Sequence, residues 1–509
     1  MILSKQTIYK ISNNSGLEVP IPAMFLLPEK VLQFGTGVLL RGLPDYFIDN
    51  ANKQGIFNGR IVMVKSTNQG ATVVFSRQDN LYTQIVRGIK NGKNIEEAII
   101  NASISRVLSA ADEWTEILTC AANPQLQIVI SNTTEVGIAL LKDDNVHAKP
   151  PISFPGKLLS FLYERYKIFN GTLESGMVII PAELITYNGT KLKDIVVKLA
   201  LENKLENDFI EWLNTANDFC NSLVDRIVPG ALSPADKSAT EEKLGYKDDL
   251  MIMSEAYCLW AIETSKERTN QILSFSKADD AVIIVPDLTK YSELKFRLLN
   301  GAHTATCALA ILAGFTTVKQ AMENEAFANF ITNTMKDEIA PAICSHLISN
   351  EDTTLFCIQV LDRFRNPFIE HQWLNITAQY TSKIEMRIVP VLMQYYQQNS
   401  KAPKHLALGF AAYLLFIKTG FKENGTLYGE AGNRQFEIKD DKAICVHDLM
   451  HNDNANITVT EILKDKYLWG VDLHKVNGFS EMIQQYIQLL QKNGALFMLT
   501  GSFNHKTDV

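Results

Sequence analysis

The sequence predicts an α/β N-terminal domain followed by a mainly α-helical C-terminal domain. Three observations carry this reading. Short Val- and Ile-rich runs recur through the first half with helical patterns between them. A Gly-x-Gly turn follows the first of those runs. Beyond about residue 288 the strand-like runs almost vanish and long periodic segments take over.

The runs are KVLQF (30–34), RIVMVKS (60–66), QIVISN (127–132), GMVIIPAEL (176–184) and AVIIVP (281–286). Each is apolar without alternation, as a strand covered on both faces requires. Their alternation with helical segments argues for a parallel sheet. In the second half, helical periodicity marks 293–313, 316–335, 376–398, 404–418 and 478–494. The domains are bounded at 1–288 and 289–509, with no repeat or low-complexity linker between them.

The bulk composition narrows the function. A net charge of -7 argues against a nucleic-acid surface, which needs a basic stripe. The first residues, MILSKQTIYK, hold no signal-peptide core. The longest apolar stretches, such as HLALGFAAYLLFI (405–417), fall short of a bilayer span. Seven scattered cysteines without a CxxC pair suit a reducing compartment and offer no zinc spacing. A cytoplasmic protein without membrane or nucleic-acid partners is expected. Nothing in the sequence specifies its oligomeric state.

The first strand runs into Phe34-Gly35-Thr36-Gly37-Val38, with Arg41 following. Strand, Gly-x-Gly and helix in succession form the dinucleotide-binding arrangement. Gly35 permits the tight turn, and Gly37 lets main-chain amides approach a pyrophosphate at a helix N-terminus. The second strand ends Val64-Lys65-Ser66-Thr67, without the acid that NAD enzymes often place there. Lys65 would even suit a 2′-phosphate, so these residues leave NAD and NADP both open. Ser131-Asn132-Thr133-Thr134-Glu135 ends another strand and is expected either to line the ligand crevice or to cap the next helix.

The most informative stretch runs from Tyr291 to His303 and holds Lys295, Asn300 and His303. On an α-helix at about 100° per residue, His303 lies about 80° and Asn300 about 140° round from Lys295. All three would project within one arc. Ketone reduction needs a proton donor and a group to hold the developing alkoxide. A desolvated lysine serves as general acid or base, an asparagine amide as an oxyanion donor. His303 is placed to bind substrate or orient the lysine.

The string KFRLLNGAHT, with Lys-x4-Asn-x2-His, and the Gly35, Gly37, Arg41 turn resemble those of the mannitol dehydrogenase family of polyol-specific long-chain dehydrogenases. Asp225-Arg226-Ile227 is similar to a further family segment. The strings SNTTEVGI (131–138), SFPGKLLSFLYERYK (153–167), PAELITYNG (181–189) and DRFRNPFIEHQW (362–373) extend the likeness along most of the chain, towards its ketouronate-reducing branch. The resemblance implies a Rossmann-type N-terminal domain, NAD as cofactor and no catalytic metal. It implies reversible reduction of D-tagaturonate to D-altronate, a step of hexuronate catabolism. Lys295 would be the acid for reduction and the base for oxidation, Asn300 would polarise the carbonyl, and His303 would bind substrate.

Fructuronate and mannitol-type polyols are alternative substrates within the family. A nucleotide-binding regulator without catalysis is the alternative from another class, opposed by the retained Lys295, Asn300 and His303. Polyol-acting relatives carry an Asp-Asn pair where this chain has Glu183-Leu184, which counts against a polyol substrate. Asn188 is the expected substitute for the missing asparagine, and Glu183 and Asp225 are expected near substrate. A sugar acid also needs a cationic partner for its carboxylate, for which Arg363, Lys383 and Arg387 are candidates. Tyr163-x-x-x-Lys167 and His447-x-x-x-His451 match a short-chain dehydrogenase pair and a metal pair by spacing, and both are expected to be structural.

Overall fold

The computed structural model describes residues 1–11, 16–66, 72–133, 137–431, 434–451 and 455–501. The chain forms two compact units, Met1–Gly88 with Asn94–Leu288 and Ile89–Lys93 with Thr289–Val509.

In the first unit, six strands build the main sheet: β1 (Glu29–Phe34), β2 (Arg60–Lys65), β3 (Ile104–Ser109), β4 (Ile128–Ser131), β5 (Val178–Pro181) and β6 (Asp218–Phe219). Their order is β3-β2-β1-β4-β5-β6 and every pairing is parallel. This is the doubly wound order of dinucleotide-binding sheets. The runs lack alternation because both faces are covered. Leu32, Phe34, Val62, Val64, Val129 and Ile179 enter one core. Val31, Ile61, Ile128, Ile130, Val178 and Ile180, on the opposite face by the two-residue period, enter the other.

Four of the five expected strands lie in this sheet. The fifth does not. Val282–Val285 pairs parallel with Leu259–Glu263, which is antiparallel to Ser222–Asp225, in a separate three-stranded sheet. An apolar run shows that a strand is buried but not which partner it takes. A third sheet sets Ile252–Glu255 parallel to residues 84–87.

Two helices follow β1, α1 (Val38–Gly42) and α2 (Pro44–Lys53), separated by Leu43 at φ −133° and ψ −77°. Asp45, in the first turn of α2, is fully buried. Its Oδ2 accepts from the Gln33 amide at 3.4 Å, and its Oδ1 has no partner. Burial pushes this carboxyl up to about 8, against the pull of Gln33 and Arg41. A carboxyl raised in the folded state contributes its full stability below its ordinary value of 3.8 and loses it as pH rises towards about 8. Asp45→Asn should therefore flatten the decline of melting temperature across that interval. Parallel declines in wild type and variant would refute the neutral buried acid.

In the second unit, the expected helix 293–313 is continuous but not α-helical throughout. A π-helical turn, Leu294–Leu299, precedes α3 (Asn300–Leu312). The expected 316–335 breaks at Asn324, whose side chain accepts from the Phe327 amide and caps Glu325–Asn333. A second π turn follows at Thr334–Ile339. Asn350–Phe364 (α4), absent from the sequence reading, opens with a Ser349/Asp352 capping box. The expected 376–398 divides at Ile388 into α5 (Tyr380–Arg387) and Val389–Asn399, where Pro390 supplies no amide donor. Lys404–Lys418 (α6) and Phe479–Asn493 form as expected. A Cβ on Gly409 of α6 would stand 2.1 Å from the Ala305 carbonyl oxygen, so α3 and α6 cross in close backbone contact there.

Strands do not vanish from this half. Phe421–Glu423, Thr426–Ala431 and Arg434–Glu437 form an antiparallel sheet. Asn424 and Gly425, both at positive φ, make its first turn. That Asn-Gly signal is visible in the sequence, but the strands beside it are polar and carry no apolar run.

Candidate active site and cofactor site

The glycine turn follows directly on β1. Gly35 has φ +130°, and a Cβ on it would meet Leu40 Cδ1 at 2.9 Å and the Asn132 carbonyl oxygen at 3.2 Å. No other residue fits this conformation and spacing. Gly37 is exposed, and a Cβ there would meet nothing within 4 Å. Thr36 and Val38 are half-buried beside it. Phe34 pairs in register with Ser131, and the Asn132 amide donates to the Phe34 carbonyl at 3.2 Å. Residues 35–38 and 131–133 thus stand together where the strand order reverses, the ligand crevice of such sheets. The first amides of α1 have no acceptor within their own helix and are available to an anion. Because α1 is only five residues long, those amides matter more than its dipole.

Several expected ligands are otherwise engaged. The Phe34 side chain is fully buried against Phe154, 5.3 Å between ring centres, so only its main chain reaches the turn. Arg41 is buried, donates to the Leu250 carbonyl at 2.8 Å and lies over the Phe75 and Tyr82 rings. One helical turn after Gly37 it faces the protein interior and ties the turn from beneath. Arg226 ties the end of α1 likewise, donating to the Gly42 carbonyl at 2.8 Å. Asp225 beside it is buried in Ser222–Asp225.

Glu183 is buried and holds the 131–133 segment. Its carboxylate accepts from the Thr133 amide (2.8 Å), Thr133 Oγ1 (3.0 Å) and Ser131 Oγ (3.2 Å). Burial raises this carboxyl while those hydrogen bonds oppose the rise. A substrate contact through Glu183 is replaced by support of the crevice wall. Asn188 is fully buried; its Nδ2 donates to Pro181, Glu183 and Ser222 carbonyls, each at 3.0 Å, and its Oδ1 accepts from the Gly189 and Ser222 amides. Every polar atom is used, so Asn188 does not replace the missing asparagine. Thr67, Thr134 and Glu135 lie outside the described residues.

The second unit positions the other candidates. In the π turn the Asn300 amide donates to the Lys295 carbonyl, an i+5 bond. An α-turn sets residue i+4 above residue i; a π-turn sets i+5 there. The expected separation of about 140° between Lys295 and Asn300 therefore closes, and they stack on one face. Both are half-buried. Gly301 and Ala302, between Asn300 and His303, are packed inside. Thr304 Oγ1 donates back to the Asn300 carbonyl at 2.8 Å. From α5, the Tyr380 hydroxyl donates to the Thr304 carbonyl at 2.8 Å and accepts from the Ala308 amide at 3.0 Å. These bonds fix the turn that carries Asn300.

His303 is buried, stacked on Phe364 of α4 with ring centres 4.1 Å apart and edge-on to His371 at 4.9 Å. Burial lowers its pKa well below the ordinary value, and the positive charges of Arg363, Arg387 and Lys383 and the neighbouring His371 add to this. The imidazole is neutral at pH 7, and its buried Nε2 has no hydrogen-bond partner. Arg363 is buried next to Phe364. Lys383 Nζ donates to the Ile376 carbonyl at 2.8 Å, and burial lowers its pKa, with Arg387 contributing. His371, Phe364 and Tyr380 were not singled out from the sequence, although the string 362–373 contains the first two.

Two family models match the chain: the mannitol dehydrogenase Rossmann domain over residues 29–274 and the mannitol dehydrogenase C-terminal domain over 287–491. The chain belongs to the mannitol dehydrogenase family. Within that family, an altronate oxidoreductase of Halalkalibacterium halodurans is 36% identical over 94% of each chain. One of Bacillus subtilis is 37% identical over 92% of this chain and 94% of its own. A solved Pseudomonas fluorescens mannitol 2-dehydrogenase, in ternary complex with NAD and D-mannitol, shares the fold at a TM-score of 0.68 and 22% identity, covering 98% and 99% of the two chains. A D-sorbitol dehydrogenase, substrate-free, shares it at 0.78 and 19%, covering 97% and 99%.

The Tyr163-x-x-x-Lys167 and His447-x-x-x-His451 spacings carry side chains engaged within the fold. The Tyr163 hydroxyl donates to Glu206 at 2.9 Å, and burial and that carboxylate raise its pKa, the opposite of what a proton-transferring tyrosine needs. His447 Nε2 faces the Gly420 carbonyl at 3.1 Å, and His451 Nδ1 faces the His447 carbonyl at 2.9 Å. The residues after them, 452–454, lie outside the described ones. Among the described residues no helix is long and apolar enough to cross a membrane.

Proposed function

We propose that the protein is a cytoplasmic, NAD-dependent oxidoreductase that interconverts D-tagaturonate and D-altronate. The observation that carries the chemistry is the π turn, which stacks Asn300 on Lys295 through the Asn300 amide bond to the Lys295 carbonyl. The relatives named altronate oxidoreductase, matched over nearly the whole chain, support the substrate.

The open space at Gly37 and the approach permitted at Gly35 fit a pyrophosphate on the 35–38 turn. When bound, the reduced nicotinamide supplies a hydride to the ketone carbon. Lys295 delivers a proton to the carbonyl oxygen as charge builds there, and accepts it back in oxidation. The Asn300 amide donates to the same oxygen. The neutral His303 offers its orphan Nε2 to a substrate hydroxyl, which removes the cost of leaving that buried atom unbonded. No metal is needed for this division of labour.

NADH oxidation followed by absorbance with D-tagaturonate, D-fructuronate and D-fructose, and repeated with NADPH, tests the reading. Tagaturonate with NADH should be fastest. A marked preference for fructose or for NADPH would overturn the substrate or the cofactor assignment respectively.

A further inference from the structure

A sugar acid differs from a neutral ketose by one carboxylate, and the second unit holds an unanswered cation beside the catalytic turn. Arg387 ends α5. Its Nη1 donates to Thr304 Oγ1 at 3.2 Å, and its guanidinium lies 5.5 Å from the centre of the Phe296 ring, next in sequence to Lys295. Its Nε is buried without a hydrogen-bond partner. Lys383 stands one turn earlier on the same face of α5. Among the described residues neither is paired with a carboxylate.

We infer that Arg387, backed by Lys383, is the subsite for the substrate's carboxylate and separates sugar acids from neutral ketoses. The inference rests on the ketouronate reading above. Like charges at i and i+4 repel and destabilise a helix. The one acid of α5, Glu385, is turned away to Lys442 at 2.6 Å. The charges of Arg363, Arg387 and Lys383 are all felt at the neutral His303, which lies among them. So many basic groups around one place, with an orphan guanidinium N–H among them, suit an anionic guest. A carboxylate accepts two parallel bonds from a guanidinium fork, which a hydroxymethyl group cannot do. The Tyr380 bonds to α3 hold α5 against the helix that carries Asn300. The guanidinium is thereby kept at a set distance from the carbonyl clamp, which gives the subsite a preferred substrate length.

The test compares kcat/KM on D-tagaturonate and on neutral D-fructose in wild type, Arg387→Met, Arg387→Lys and Lys383→Met. Arg387→Met should lower kcat/KM on tagaturonate by about 10²-fold, mostly through KM, as expected for two charged hydrogen bonds. The ratio of tagaturonate to fructose should fall by a similar factor while the Kd for NADH holds. Arg387→Lys should recover part of the loss, and Lys383→Met should move the ratio the same way by about tenfold. Equal losses on both substrates, or an unchanged ratio, would make Arg387 only a tie to α3. If wild type reduces no ketouronate, the ketouronate reading falls by itself. Calorimetry of D-altronate against D-mannitol on wild type and Arg387→Met then still decides the subsite: binding of altronate lost with Arg387 supports it, and binding unaffected by the variant overturns it.

Discussion

Lys295→Ala should lower kcat for ketone reduction by about 10³-fold, within the range that a general acid contributes, while NADH still binds. The residues proposed to hold the cofactor, 35–38 and 131–133, belong to the first unit and Lys295 to the second, so the substitution leaves the glycine turn intact. The lysine sits within Leu294–Leu299, where the main chain is already committed to the wide π hydrogen-bond pattern. An alanine there keeps helix propensity and removes the amine with its methylene stem. The expected split is therefore a collapsed turnover with an unchanged Kd for NADH, measured by quenching of protein fluorescence. Oxidation of D-altronate should fall in parallel, since the same amine must accept the proton in that direction. A variant that keeps turnover within tenfold of wild type would take Lys295 out of proton transfer. One that loses NADH binding instead would make its role structural.

How far the sequence showed this arrangement depends on which physical signal each part leaves. The sheet was legible because burial on both faces forces unbroken apolar runs, as in Arg60–Lys65 and Ile128–Ser131. The glycine turn was legible because Gly35 at φ +130° tolerates no substitute. The sheet membership of Val282–Val285 was not, since periodicity carries no record of the partner strand. The hairpin around Asn424-Gly425 was missed because its flanking strands are too polar for an apolar run. At the site, residue types were readable and their engagement was not. Asn188 and Arg41 have suitable chemistry, yet their polar groups are turned to main-chain carbonyls in the interior. Glu183 looked like a departure from a substrate clamp, and its carboxylate proves to brace Ser131 and Thr133. The π turn was the largest omission. A sequence scanned at a fixed angle per residue cannot show where one extra residue has been accommodated.

That omission bears directly on Asn300. With α-helical geometry it would stand well round the helix from Lys295, poorly placed to share an oxygen with the lysine. In the π turn the five-residue spacing stacks it over Lys295, the arrangement that the proposed sharing of one oxygen requires. Asn300→Ala should then cost on the order of 10²–10³ in kcat, the worth of a single oxyanion donor in a site shielded from water. The loss should fall on kcat more than on KM, because the donor's bond strengthens as the carbonyl oxygen gains charge. Asn300→Asp, nearly identical in shape, should do no better, because an ionised carboxylate offers no donor and repels the developing alkoxide. Thermal melts of both variants should stay close to wild type, since the Thr304 hydroxyl and the Tyr380 bonds engage main-chain atoms that neither substitution alters. A loss below tenfold in Asn300→Ala, or an Asp variant as active as wild type, would leave Asn300 a packing residue and remove the π turn's claim to the chemistry.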